Sequence, residues 1–421
     1  MESKKNLDGF VPVKSTYDDN NQIPDSLKGR IFIIISVVLL LSFFFTIKYF
    51  RNDSSSSNQS NDSQSKLFEK YILNNNVEVK NRLVIAPITL LSSNLDGTIS
   101  NEEREYFRER GTDIGIYILG ATAISQDGIT HENQPRAYSD SDIPSLEERA
   151  KIIKAQGALA INQLHHGGAF SSKQYSGLDP VAPTGNSTLN IHELTDDEIK
   201  KIIQRFANSA ELSLKAGFDG IEINAANKYL IQQFYSPHCN HRNDEWGGST
   251  EKRMNFALKI IDAINEVKTR LNRPDFIIGY RLSPEEPFED GITMTETLQL
   301  VRALKSKPIQ YIHISQKNYY QEAHNGEGKG IERVKLIHDE IKDKIALIGV
   351  GGLKSEKDLN NAINTGYSEF ISVGMASMLN KDFGILLKQG KGNQLNLEFD
   401  KEHPEKHSMT SGLLKIFTGK K

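Results

Sequence analysis

Cys239 is the single cysteine in 421 residues. That excludes an intramolecular disulfide and any zinc or iron–sulfur site built from several cysteines of this chain. An excess of charge of one sign is lacking too: 51 basic against 54 acidic residues leave a net charge of -3, so no nucleic-acid partner is expected. The G-x-G-x-x-G opening of a dinucleotide-binding half is absent, which counts against a doubly wound open sheet. The adjacent His165 and His166 alternate across a strand and point to opposite faces. With no carboxylate-rich motif to complete a site, no metal is expected.

A long uncharged apolar run is present at residues 31–47, I-F-I-I-I-S-V-V-L-L-L-S-F-F-F-T-I, flanked by Arg30 and by Lys48 with Arg51. Its length lies near the lower limit of the roughly 17 to 25 residues that span a bilayer, and Tyr49 and Phe50 extend it into the interface. A signal peptide fits less well, because a long polar stretch precedes the run and no small-residue cleavage site follows. The expectation is a polar, disordered segment over 1–30, a single transmembrane helix over 31–50, and a flexible Ser/Asn-rich tether over 51–66. Asn52, Asn58 and Asn61 open Asn-x-Ser matches, which a tract of this composition produces by chance.

From Asn81 the texture becomes a regular alternation of short apolar runs and amphipathic segments. Runs opening at Asn81, Ile114, Leu159, Gly220, Phe276, Tyr311, Ala346 and Phe370 read as strands. Helical patterns lie between them, with Thr195, Ser249, Thr293 and Ser355 as N-caps, Glu198 completing a capping box, and Gly217 as a stop. Eight strands alternating with helices is the count of an α/β fold of the (β/α)8 TIM-barrel type, here over 67–391 with a C-terminal tail at 392–421. Function in such a barrel sits where the strands end.

Those ends carry a consistent set. Strand one ends in Pro87, Ile88 and Thr89, strand two runs into Gly120, Ala121 and Thr122, and strand three ends with Gln163, His165 and His166. Strand four is followed by Asn224, Asn227 and Tyr229, and strand five carries Arg281. Strands seven and eight end in Gly351-Gly352 and in Gly374, where barrels commonly hold a phosphate on backbone N–H groups. A phosphate cradle, a cation and several amide or hydroxyl donors suit a planar, phosphate-bearing heterocycle such as flavin mononucleotide (FMN).

The segments N-R-L-V-I-A-P-I-T, G-A-T-A-I-S, N-Q-L-H-H-G-G, Y-R-L-S-P and the long stretch 218–253 resemble the Old Yellow Enzyme family of NADH:flavin oxidoreductases, over residues 66–391. The resemblance implies an FMN-binding TIM barrel that takes hydride from NADH or NADPH and passes it to an activated alkene or enone. By position in the motifs it implies that Pro87, Ile88, Thr89 and Ala121 line the flavin, Thr89 at its C4 carbonyl. Gln163 belongs at the pyrimidine edge and Arg281 near N1 and the C2 carbonyl. Gly351, Gly352, Gly374 and Met375 belong at the phosphate. Asn224 and Asn227 grip the substrate carbonyl, and Tyr229 protonates its α-carbon, a role that suits a phenol still protonated at neutral pH.

Two positions depart from the pattern of the family. Asn224 stands where a histidine is usual; it can still donate to a carbonyl oxygen but cannot become cationic. Met375 stands where an arginine usually meets the phosphate. These departures keep open a barrel that binds without catalysing, and an NADH oxidase passing electrons to oxygen is a third reading. The stretch after the last barrel helix leaves no room for a further nucleotide-binding domain, so the nicotinamide must reach the same face. Lysines and arginines are balanced across 31–50 and do not orient it. The cytosolic pools of NADH and NADPH lead us to expect the barrel on the cytosolic side.

Overall fold

The apolar runs become strands buried almost from end to end, and that is why they read as near-continuous hydrophobic stretches rather than as alternations. In the computed structural model, which describes residues 65–342 and 344–419, the eight strands are β1 (Leu83–Ile85), β2 (Ile116–Ala123), β3 (Leu159–His165), β4 (Gly220–Ala225), β5 (Ile277–Leu282), β6 (Tyr311–Ile314), β7 (Ala346–Val350) and β8 (Phe370–Val373). Each pairs in parallel with its neighbours in sequence, and β8 returns to β1 with Ile371 opposite Leu83, closing the barrel. The expected N-terminal segment and transmembrane helix, and the tether up to residue 64, lie outside the described residues. Among the described residues no helix is long and apolar enough to cross a membrane.

The helices that ring the barrel are α1 (Asn101–Phe107), α2 (Ile143–Lys154), α3 (Asp196–Lys215), α4 (Thr250–Arg270), α5 (Met294–Leu304), α6 (Arg333–Ile341), α7 (Glu356–Asn364) and α8 (Phe383–Lys388). Local chemistry fixes where several of them begin. Reciprocal capping boxes start α3 at Thr195 with Glu198, α5 at Thr293 with Glu296, and α7 at Ser355 with Asp358. Ser249 caps α4 by accepting from the Lys252 amide. Just past α3, Gly217 takes φ +82°, the left-handed conformation that glycine adopts without a steric penalty.

Two additions were not expected. Strands Tyr71–Ile72 and Glu78–Val79 form an antiparallel hairpin under the N-terminal end of the barrel, where Leu73 and Val79 pack with Val84, Ile116, Ile161 and Tyr311. After α8 the chain runs back to the opposite end. There Arg110 donates to the carbonyls of Ser377 and His407, Thr410 Oγ1 donates to the Leu90 carbonyl at 3.0 Å, and a helix, Ser411–Thr418, buries Leu413.

Candidate active site at the C-terminal mouth of the barrel

The end of β2 is irregular by necessity. Its register against β3 shifts between Leu119 and Thr122, and Ala121 has φ +25°. A Cβ on Gly120 would sit 2.1 Å from the Ile88 carbonyl oxygen, so only glycine lets the segment Pro87-Ile88-Thr89 cross this close above β2. The bulge frees the Ala121 N–H, which donates to Gln163 Oε1 at 3.4 Å. The Ala121 carbonyl accepts from Gln134 Nε2 at 2.8 Å.

Gln163 on β3 lies opposite Glu222 on β4 and donates from Nε2 to Glu222 Oε1 at 2.7 Å. The other Glu222 oxygen meets His313 Nδ1, from β6, at 2.9 Å. Both Glu222 and His313 are fully buried inside the barrel. Burial pushes the Glu222 carboxyl up, but the charges of His313 and Arg281 and the hydrogen bonds from His313 and Gln163 outweigh it. The net pKa falls below the usual carboxylate value. Glu222 therefore stays ionised and fixes which end of the Gln163 amide is which. Sequence reasoning passed over both residues, although an acid inside G-I-E-I and a histidine inside Y-I-H-I are legible signals: a buried strand carries such groups only when they are partnered.

Beyond Asn224, buried at the end of β4, Asn227 and Lys228 take φ +58° and +64° before the chain enters the short helix Leu230–Tyr235. Asn224 Nδ2 lies 3.1 Å from His165 Nδ1, and the His165 ring meets the Tyr229 ring edge-on, centroids 4.3 Å apart. Asn227 faces another way: its Oδ1 accepts from Ser315 Oγ at 2.9 Å, and Ser315 in turn accepts from Arg281 Nη2 at 3.4 Å. Thus Asn224 and Tyr229 cluster on the β3 side, and Asn227 and Arg281 on the β6 side. His166, as expected from strand alternation, turns away; its Nδ1 accepts the Gly168 N–H at 3.1 Å and its Nε2 lies 3.5 Å from Asp127. Among the described residues no group of three His, Cys, Asp or Glu could hold a metal.

At β7 and β8 the glycines make an open turn. Gly351 has φ +132°, and a Cβ there would strike the Asn318 backbone at 2.6 Å. Gly374 precedes the short helix Met375–Leu379, and the Met375 side chain is exposed. The donor set fits a flavin at its pyrimidine end. Gln163 keeps one spare N–H and one spare lone pair, and Arg281 Nε is buried without a hydrogen-bond partner among the described residues. The turn at β7 and β8 offers backbone groups, and position 375 adds no cation to it.

Comparison with known proteins agrees with this fold. The NADH:flavin oxidoreductase / NADH oxidase family model matches residues 66–394. The chain is 36% identical over 357 residues to the probable NADH-dependent flavin oxidoreductase YqiG of Bacillus subtilis, covering 84% of this chain and 96% of that protein. It is 34% identical to the NADH:acrylate oxidoreductase of Vibrio harveyi and 33% identical to the NADH:fumarate oxidoreductase of Klebsiella pneumoniae. There it covers 74% and 80% of itself but spans only 32% and 37% of those longer proteins. Among solved structures it shares its fold with the old yellow enzyme homologue of Zymomonas mobilis (TM-score 0.68, 24% identity, covering 82% and 96% of the two chains) and with morphinone reductase (0.67, 23%, 81% and 93%).

Proposed function

Because the chain belongs to the NADH:flavin oxidoreductase / NADH oxidase family, the Old Yellow Enzyme family, we propose that it is an ene reductase, an FMN enzyme that moves hydride from a nicotinamide nucleotide to an activated alkene. Bound FMN supplies the two-electron relay between the nicotinamide and the alkene. The observation that carries the reading is the convergence at one barrel mouth of the locked Gln163 amide, Arg281, and the Asn224–His165–Tyr229 cluster.

The residues divide the work as follows. Pro87, Ile88, Thr89 and Ala121 line one side of the flavin. Gln163, its amide oriented by Glu222 and the Ala121 N–H, meets the pyrimidine edge. Arg281 brings positive charge to the same edge and stabilises negative charge that grows there on reduction. Gly351, Gly352 and Gly374 present backbone to the phosphate. Asn224 donates N–H to the acceptor carbonyl from the β3 side and Tyr229 delivers the proton, while Asn227, its Oδ1 held by Ser315 Oγ, would have to donate its N–H from the β6 side. Burial raises the Tyr229 pKa and Arg281 opposes it, so the phenol is protonated at neutral pH.

The visible spectrum of the purified protein after reconstitution with FMN, followed by anaerobic NADH or NADPH, tests the reading. A flavin band that a nicotinamide bleaches and an enone restores is expected. No band would favour a barrel that binds without catalysing; a reduced flavin reoxidised only by oxygen would favour an NADH oxidase.

Met375→Arg should tighten FMN binding by about tenfold or more, because a charge-assisted hydrogen bond to phosphate is restored. An unchanged dissociation constant in a folded variant would place the phosphate elsewhere.

We also propose that residues 31–50 anchor the barrel to a membrane as one spanning helix, with the barrel on the cytosolic side. The uncharged run 31–47 and the need to meet NADH or NADPH support this. Protease outside sealed vesicles that enclose the cytosolic side should leave the barrel intact. Cleavage in the Ser/Asn tract, or glycans on Asn52, Asn58 or Asn61, would reverse the orientation.

A further inference from the structure

We infer that His165 is a positioning residue for Asn224, fixing which end of its amide faces the acceptor; this rests on the ene-reductase reading above. An imidazole at position 224 would offer a carbonyl one kind of polar edge once protonated, whereas an asparagine has two ends of opposite character. Its N–H end attracts a carbonyl oxygen and its own oxygen repels one. An asparagine in this place therefore needs a lock.

The lock can be read atom by atom. Asn224 Nδ2 can only donate, so His165 Nδ1, 3.1 Å away, must be the acceptor and carry no proton. The ring proton then lies on Nε2 and is given to Thr130 Oγ1 at 3.2 Å, whose single hydroxyl hydrogen is shared between His131 Nδ1 at 2.5 Å and Gln134 Oε1 at 3.2 Å. The other end of the amide is held as well: Asn224 Oδ1 accepts from the Ala226 N–H at 3.4 Å. Burial, with the neighbouring His131 and His166, pushes the His165 pKa well below its usual value, so it remains a neutral acceptor. The edge-on Tyr229 ring limits its tilt. One Nδ2 hydrogen is thereby committed to His165 and the second is left for the substrate. His131 lines an open cavity of about 670 Å³ beside the mouth, so the chain of hydrogen bonds begins at solvent and ends on the residue that grips the acceptor.

The test measures the dissociation constant of an α,β-unsaturated ketone on the oxidised, FMN-loaded protein from the shift of the flavin band. A hydrocarbon analogue without the carbonyl serves as the control. His165→Leu should weaken ketone binding about tenfold and leave the analogue unaffected, while His165→Gln, whose Oε1 can accept, should recover most of the loss. In an Asn224→Ala background His165→Leu should change nothing further. Equal losses with and without Asn224, or a glutamine variant as weak as the leucine one, would overturn the inference. The glutamine variant decides the matter if leucine prevents folding. A wild-type protein that takes up no FMN would instead overturn the reading on which the inference stands.

Discussion

Tyr229→Phe is expected to slow reduction of the alkene by about 10²- to 10⁴-fold, the usual worth of a positioned general acid, while flavin reduction by the nicotinamide stays nearly unchanged. Only the second half-reaction consumes a proton, and the side chain loses nothing but its hydroxyl. The aromatic contacts with His165 and Phe170 survive in phenylalanine, so the pocket keeps its shape. The sign of the pH dependence follows from the raised pKa of the phenol. A donor works below its pKa, so the alkene step in the native enzyme should hold through neutral pH and fail only above the ordinary tyrosine value of about 10. Stopped-flow measurement of each half-reaction separates the cases; equal losses in both would remove Tyr229 from the proton-donor role.

Arg149→Met should destabilise the barrel by about 3 to 5 kcal/mol, the cost of stranding one partner of a buried ion pair. Arg149 and Glu103 are almost wholly buried and 2.8 Å apart. The guanidinium also donates to Ser93 Oγ, to the Gly97 carbonyl and to Ser145 Oγ. Glu103 meanwhile completes the capping box of α1. The pair ties α1 and α2 to the loop that continues from Thr89. Urea unfolding of the variant should show a lower midpoint with an unchanged slope, and pairing it with Glu103→Leu should recover much of the loss. A single variant as stable as the native protein would show that the pair contributes nothing net.

Much of the scaffold was legible because its signals are local. A strand covered on both faces must be apolar throughout, so the runs at Leu159, Gly220 and Tyr311 gave away their positions. Thr195 and Ser355 bear the hydrogen bonds that start their helices within three residues. The polar residues at the strand ends followed from the same reading once the barrel was recognised. What stayed hidden depends on distance along the chain. Glu222 meets Gln163 across 59 residues and His313 across 91, and no period links them. His165 and Asn224 could each be noticed, but not that one accepts from the other. The bulge at Ala121 and the left-handed Asn227 and Lys228 are backbone choices imposed by packing around them. The hairpin at Tyr71–Ile72 and Glu78–Val79 is too short to show a period at all.

The closure of β8 onto β1 also sets a timetable for biosynthesis. At about 5 to 20 residues per second, Leu83–Ile85 leaves the ribosome tens of seconds before Ile371 exists to pair with it. Through that interval the growing sheet keeps an unsatisfied edge, which is a template for pairing with another chain. Thr410 seals the Leu90 carbonyl later still. A translating cell therefore holds this barrel open for most of its synthesis, and yield should respond to chaperone supply and growth temperature more than the finished protein's stability suggests.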